Sequence, residues 1–367
     1  MTRLLVASLL LLAWPQEKEF PRKSVLTKGK PKKPLLLNYR PPPGTTLCDT
    51  PEARLATIGR TQVVFLDANG DGTFGQPGID AWTVAGQAYA VPVDAMIIVG
   101  TDEVHLQFAA EAVHYRAVPI KAKKEYLDAL VKLNDLRLRN GLAPATIDAR
   151  MSDGCEKHCA YMAKNGIGHA EDKSKPGYTP EGDAAGRASC VNPGACVESV
   201  SVFYDTFYHR LPLMHPGTVT FGIGSTGAFT AIDGMRSRRE RSWISPVVIP
   251  APESEGHPTL FNASGENPQP FPDGASPGCP LTISFPWGSK PAVTSAEVRE
   301  GGPKGKPLEL LTSWPGNPAN PERPENSDSI CLMSRRILRP QCRYHARVVY
   351  TLGGASHELE WSFTTGS

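Results

Sequence analysis

The sequence predicts a mixed α+β protein of several domains, in which a central segment with helical periodicity is flanked by two segments with strand periodicity. Three observations lead to this fold class. The chain has 367 residues, more than a single ordinary hydrophobic core accommodates. Proline (35 residues) and glycine (34 residues) are both frequent, which is typical of β-rich domains with many turns. Apolar residues recur at helical spacing in the middle of the chain.

Composition and charge narrow the class of function. Hydrophobic residues make up 40% of the chain and charged residues 21%, as in a soluble globular protein. The formal net charge is only +2, whereas a nucleic-acid-binding protein needs a concentrated basic surface. We therefore expect no nucleic-acid partner.

Residues 1–15 have the pattern of a secretory signal peptide. Arg3 supplies the positive charge, and residues 4–14 are apolar apart from Ser8. The run is too short to span a bilayer, and no later apolar stretch is long enough to do so. We therefore expect an exported protein (secreted, periplasmic or at the cell surface) with no integral membrane span after signal cleavage.

Residues 16–45 are predicted to form a linker and residues 46–119 a small β-rich domain. In the linker, Lys and Arg alternate with Pro and Gly, which is typical of a solvated tether. In the domain, short apolar or β-branched runs are separated by Gly and Asp turns. Residues 104–108 and 113–118 alternate with period two, as half-buried antiparallel strands do.

One loop of this domain has the spacing of a calcium site. Oxygen-bearing side chains stand at positions one, three and five of the loop. Gly72 stands at position six and Thr73 offers its backbone carbonyl at position seven, as at the start of an EF-type loop. Position twelve is Gly78 rather than glutamate, so the loop is not a true EF-hand. The candidate calcium ligands are Asp67, Asn69, Asp71, Thr73 and Asp80. A tight Asx-Gly turn explains the same residues equally well, and the sequence leaves both open.

Residues 120–246 are predicted to combine helices with two strands. An apolar stripe over residues 127–138 predicts a helix that ends at Gly141, and a second helix runs from Asp148 to a stop at Gly166. A third helix lies near residues 197–207, and residues 219–224 and 227–232 read as paired strands. Helices followed by strands predict an α+β sandwich.

Three ordered blocks of this segment resemble the CAP superfamily (cysteine-rich secretory, antigen 5 and pathogenesis-related proteins). Residues 133–144 read L-N-D-L-R-L-R-N-G-L-A-P and resemble the opening helix of CAP domains. Residues 158–166 with His169 resemble the second helix and the first cavity histidine, and residues 203–224 resemble the block that carries the second. The resemblance implies a CAP α/β/α sandwich at residues 120–246.

The last part, residues 247–367, is predicted to be a β-sandwich. Residues 281–285, 343–352 and 357–365 read as strands between Pro- and Gly-rich loops. Residues 338–344 (L-R-P-Q-C-R-Y), followed by W-S-F-T-T-G at 361–366, resemble a motif of bacterial surface-exposed Ig-like domains. The resemblance implies an Ig-like domain and a bacterial protein.

The CAP resemblance also implies a candidate metal site. In many CAP proteins two histidines and two glutamates line a cleft that holds a divalent metal, and His169 and His209 match the histidines. Zn²⁺ is therefore a candidate cofactor, and we expect none besides zinc and calcium. The glutamates do not carry over, because Arg187 and Thr206 stand at their positions. The acids that are candidates to replace them are Glu171, Glu181 and Asp205.

Eight cysteines suit an oxidising compartment, where disulfides persist. They are Cys48, Cys155, Cys159, Cys190, Cys196, Cys279, Cys331 and Cys342. The sequence does not determine their pairing. We favour bridges from the helix that carries Cys155 and Cys159 to Cys190 and Cys196 over a metal site that includes His158.

These observations favour an exported, non-catalytic binding module with a histidine-lined cleft. Its partner is an extracellular protein, a polysaccharide or a lipid. No G-x-S-x-G, phosphate-binding loop or H-E-x-x-H motif is found. The first alternative is a secreted, peptidase-like metal-dependent hydrolase that uses His169 and His209. The second is binding of a lipid or sterol, which some members of the CAP superfamily show.

Overall fold

The structure, a computed structural model, describes residues 20–29, 35–37, 41–237, 246–263, 266–267, 269–271, 278–286, 288–320 and 328–367. These residues form a mixed α+β protein with five β-sheets and few helices. The predicted signal peptide at 1–15 lies outside the described residues. Within them, no helix has the length and apolar character needed to cross a membrane.

The described residues of the N-terminal part form strands and loops. Its strands are β1 (Arg22–Val25), β2 (Thr27–Lys28), β3 (Leu36–Leu37), β4 (Glu52–Ile58), β5 (Thr61–Asp67), β6 (Ala81–Val84), β7 (Tyr89–Pro92), β8 (Met96–Val99), β9 (Asp102–Ala109) and β10 (Ala112–Pro119). They form a four-stranded sheet in the order β1-β10-β9-β8 and a six-stranded sheet in the order β2-β4-β5-β6-β7-β3. Val63 and Phe65 from one sheet share a core with Val104 and Val113 from the other.

Three of these strands lie in the segment expected to be a solvated linker. Strand β1 pairs antiparallel with β10, with Arg22 opposite Tyr115 and Val25 opposite Ala112. Leu26, directly after β1, is buried in the core of this part. The physical reason is that β10 would otherwise be an edge with unpaired backbone groups, and a short basic strand is a common way to cover one. The basic, Pro-rich composition conceals this pairing in the sequence.

The central part combines five helices with a four-stranded sheet. Its elements are α1 (Lys124–Arg139), β11 (Thr146–Ile147), α2 (Ala149–Asn165), α3 (Pro180–Ala188), β12 (Ser189–Pro193), α4 (Cys196–Tyr204), α5 (Arg210–Leu213), β13 (Thr220–Ser225) and β14 (Phe229–Asp233). The sheet order is β11-β13-β14-β12. On one face α1 and α4 share a core with Ile232. On the other face α2 and α3 share a core with Ala231, so the sheet lies between two helical layers.

Two glycines in β13 allow helix α2 to lie directly on the sheet. A Cβ atom at Gly224 would stand 2.3 Å from the backbone of Cys155 and Glu156, and one at Gly222 would stand 2.7 Å from Met151 Cβ. No other residue fits at such distances without moving the helix. The G-x-G spacing at 222–224 is therefore explained by close packing of α2 against β13.

The C-terminal part consists of two antiparallel sheets. Its strands are β15 (Val247–Ile249), β16 (Leu281–Ser284), β17 (Ala292–Glu300), β18 (Lys306–Pro307), β19 (Leu310–Ser313), β20 (Ser329–Ser334), β21 (Arg343–Leu352) and β22 (Ala355–Thr364). The sheet orders are β15-β16-β20-β19 and β18-β17-β21-β22. Leu281 and Ile283 share a core with Tyr344 and Trp361 across the sheets. The Ig-like assignment stays a prediction, because unrelated domains share this two-sheet packing.

Strand β15 joins the central and C-terminal parts. Its side chains alternate, so that Val247 and Ile249 belong to the central core while Val248 belongs to the C-terminal core. The buried Arg210 of α5 adds a second connection, because its Nη1 donates to the Pro280 carbonyl at 2.6 Å. The two parts therefore share buried residues rather than a solvated junction.

Candidate functional site

The first cleft histidine, His169, lies in the loop between α2 and α3. Helix α2 is capped by Asp148, whose side chain accepts a hydrogen bond from the Met151 N–H, and its C-terminal cap is Gly166, where φ is 91°. The chain then turns so that His169 Nδ1 lies 3.1 Å from the carbonyl oxygen of Gly186 at the end of α3. His169 is exposed, so its ring is accessible from solvent.

A buried pair, His158 and Glu171, holds this loop against α2. His158 Nδ1 lies 3.0 Å from Glu171 Oε1, and His158 Nε2 lies 2.8 Å from the Gly168 carbonyl oxygen. The Gly168 carbonyl oxygen only accepts, so His158 Nε2 donates to it. Glu171 also accepts from the Thr179 N–H at 2.9 Å. His158 and Glu171 therefore organise the loop that presents His169.

The other acids proposed to replace the family's glutamates lie in different surroundings. Glu181 is exposed and forms a 3.6 Å surface ion pair with Lys157. Arg187, at the position of the first glutamate, is also exposed and pairs with Asp183. Asp205 follows α4, and burial raises the pKa of its carboxyl above the usual value while Arg210 lowers it. No described contact joins Glu181, Arg187 or Asp205 to His169.

The second cleft histidine, His209, precedes α5 and packs against Phe203 with 5.1 Å between ring centroids. Its Nδ1 lies 3.6 Å from Oε1 of Glu266, a buried residue from the segment between β15 and β16. The same carboxylate accepts backbone N–H groups of Phe207 at 2.8 Å, Tyr208 at 2.5 Å and His209 at 3.1 Å. Burial raises the pKa of Glu266 to about 7, against the opposing effect of the three N–H donors.

Sequence reasoning missed Glu266. It lies 57 residues after His209, in a Pro- and Gly-rich segment without periodicity. The only sequence signal is a lone acid in an otherwise neutral stretch, which is too common to single out a site.

The nearby His215 is explained locally, because its Nδ1 accepts the Gly217 N–H at 3.0 Å and so caps its own turn.

The described residues do not fit a zinc site. His169 and His209 have different partners, and Glu171 is engaged by His158 and Thr179. Across the described parts of the chain, no group of three or more His, Cys, Asp and Glu side chains is arranged to hold a metal ion. Protein zinc sites use three or four such ligands. Zinc binding at His169 and His209 stays a prediction.

The candidate calcium loop is held by its own backbone. Asp67 accepts N–H groups of Gly70 and Gly72, each at 2.8 Å, and Asp71 accepts that of Thr73 at 2.8 Å. The buried Asp80 accepts from Ala68 and Gln76, and the Asn69 side chain donates to Asp71. These are the contacts of the Asx-Gly turn. Calcium binding stays a prediction.

None of the eight cysteines, all within described stretches, forms a disulfide bond. The expected bridges from Cys155 and Cys159 to Cys190 and Cys196 are therefore not seen. The central β-sheet separates the two pairs. Cys155 and Cys159 belong to the core on its α2 face, whereas Cys190 and Cys196 belong to the core on its α1 face. Cys279 and Cys331 likewise belong to two different cores of the C-terminal part. Cys48 and Cys342, also expected to be candidates for pairing, are half-buried.

Comparison with known proteins identifies the central part. A family model described as "CAP: Cysteine-rich secretory protein family" matches residues 130–228, so the chain contains a CAP domain. No curated protein matches the chain. Among solved structures, an extracellular protein containing an SCP domain from Bacillus anthracis str. Ames is similar at 12% identity and a TM-score of 0.26. That similarity covers 51% of this chain and 82% of that one, and at this TM-score it supports no inference.

Proposed function

We propose that this chain is an exported CAP-domain protein that acts by binding a partner outside the cell and not by catalysis. Residues 130–228 match the CAP family, and we assign the binding of the partner to this domain. The apolar run at residues 4–14 supports export. The two-sheet C-terminal part, proposed as an Ig-like module, serves as a spacer or docking surface packed against the CAP domain.

The observation that carries the non-catalytic assignment is the position of Glu266. Its carboxylate is satisfied by three backbone N–H groups beside His209. A general base must reach a proton of the substrate or of a bound water, whereas this carboxylate is buried and engaged. Glu171, which belongs to the loop that carries His169, is likewise buried and engaged by His158. Of the described acids beside these histidines, neither Glu266 nor Glu171 is therefore available as the carboxylate that metal-assisted hydrolysis needs.

The test compares wild-type protein with the His169→Ala/His209→Ala double variant in hydrolysis of casein and of nitrophenyl esters. Both proteins are assayed with added Zn²⁺ and with chelator. We expect no turnover above buffer in either protein. Zinc-dependent turnover in the wild type that disappears in the double variant would instead establish the hydrolase alternative and overturn the proposal.

A further inference from the structure

A cavity of about 320 Å³ lies where the three parts of the chain meet. The loop 86–88 between β6 and β7 forms one wall, and Leu136, Arg139 and Tyr204 of the CAP domain form a second. Residues 253–257, after β15, form the third. Small-ligand sites commonly occupy domain junctions, and this volume is at the lower end of their range. Neither cleft histidine lines the cavity, so the site is independent of the proposed function.

The hydrogen bonds of His257 fix which of its ring nitrogens accepts. The Ser254 hydroxyl contacts the Ala251 carbonyl oxygen and lies 2.8 Å from His257 Nε2. A carbonyl only accepts, so the single hydroxyl proton goes to Ala251 and Nε2 must donate to Ser254. Burial, helped by Arg210 and Arg139, lowers the pKa of His257 to about 3, so the ring is neutral. His257 Nδ1 is therefore an unprotonated acceptor.

The charged groups of the wall are largely balanced within the protein. Glu253 binds Arg343 through both carboxylate oxygens, at 2.7 and 2.9 Å. Arg139 binds Asp135 at 2.7 Å. With these pairs formed, Glu253 and Arg139 do not require a charged ligand as a counter-ion. The lining residues Glu253, Glu255 and His257 carry acceptor atoms that retain lone pairs beyond these contacts, and Arg139 carries further N–H donors. A neutral ligand rich in donors matches this wall.

The cavity also has apolar surface. Leu136 contributes a half-buried aliphatic side chain, and Tyr204 lines the cavity as a largely buried side chain whose hydroxyl is already engaged by Asn140 at 3.1 Å. A sugar combines hydroxyl donors around its rim with apolar C–H faces that pack on such surfaces. The volume corresponds to on the order of ten waters, enough for one or two sugar rings. We propose that this cavity binds a neutral mono- or disaccharide.

The experiment titrates glucose, N-acetylglucosamine, maltose and cellobiose into the full chain and follows binding by ligand-observed NMR and calorimetry. Ala88→Phe, which fills the cavity, is compared with Ala110→Phe at an exposed turn of the same part. Glu255→Gln, which removes one acceptor, is compared with Glu358→Gln on β22. We expect saturable binding of at least one sugar, abolished by Ala88→Phe and weakened about tenfold by Glu255→Gln. Neither control variant should change it.

Three results would overturn this assignment. One is the absence of saturable binding by any of the four sugars. Another is binding that survives Ala88→Phe and Glu255→Gln unchanged, which would place the sugar elsewhere. The third is stronger binding of glucosamine than of glucose and N-acetylglucosamine, since the cavity would then select an ammonium group. If Ala88→Phe fails to fold, the comparison of Glu255→Gln with its control Glu358→Gln still shows whether the sugar binds in this cavity.

Discussion

Glu266 Oε1 lies 3.6 Å from His209 Nδ1, although the two residues belong to different parts of the chain. The carboxylate also closes the turn before α5 by accepting the N–H groups of residues 207–209. Phe207 and the C-terminal residues Phe261 and Phe271 surround this contact in one apolar cluster. The C-terminal part therefore contacts the segment that carries His209 directly, and it does so with a buried acid.

This buried acid predicts a specific dependence of stability on pH. The pKa of Glu266 is about 7 in the folded chain, above its ordinary 4.5, so between these values the folded state holds a proton that the unfolded state has released. Its contribution is therefore greatest below pH 4.5 and is lost as pH rises through about 7, by on the order of 3 kcal/mol in total.

Urea denaturation of wild type and Glu266→Gln at pH 5 to 8 measures this contribution. We expect the free energy of unfolding of the wild type to fall relative to that of Glu266→Gln as pH rises. The reason is that Glu266 loses its proton over this range, whereas glutamine does not titrate. The comparison isolates Glu266 from other groups that titrate in this range. Parallel pH curves for the two proteins would show that Glu266 titrates at its ordinary value.

The His158–Glu171 pair predicts a large loss on removing one partner. Both side chains are fully buried, so Glu171→Leu leaves a buried imidazole without its carboxylate. We expect the free energy of unfolding to fall by about 3–5 kcal/mol, with faster amide exchange in residues 166–179. Glu181→Gln, which breaks a surface pair, should change it by less than about 1 kcal/mol. Equal effects of the two substitutions would contradict the organising role of the pair.

Close packing of α2 on β13 predicts that Gly224 tolerates no side chain. Gly224→Ala places Cβ 2.3 Å from backbone atoms of Cys155 and Glu156, which flexible side chains cannot relieve. We expect a loss of at least about 3 kcal/mol, or failure to fold. Gly168→Ala is the matched control, because a Cβ there meets nothing within 4 Å. Thermal melts of both variants make the comparison, and a Gly224→Ala melt close to wild type would refute the packing argument.

The loop at 67–80 predicts indifference to calcium. Its carboxylates already accept backbone N–H groups, so the loop is held without a cation. We expect the same Tm, within about 1 °C, in excess Ca²⁺ and in chelator. Stabilisation by Ca²⁺ that disappears in Asp71→Asn would instead establish the calcium site that the spacing predicts.

The sequence predicted the parts of the fold that depend on local pattern. Alternation at 104–108 and 113–118 corresponds to β9 and β10, and the stripe at 127–138 corresponds to α1. The linker strands were missed because β1 is basic and short, and it is specified by the exposed edge of β10 rather than by its own residues. The expected disulfides are not seen, and helix periodicity does not show which face of a sheet Cys190 occupies. Glu266 was missed because only the tertiary fold brings it to His209.

The central claim is that the cleft around His169 and His209 binds a partner without metal chemistry. Elemental analysis of the signal-free protein tests it most directly, after incubation with excess zinc and dialysis, beside the His169→Ala/His209→Ala double variant. The account predicts far less than one zinc per chain in both proteins. One zinc per chain in the wild type, lost in the double variant, would contradict the account and establish a metal centre.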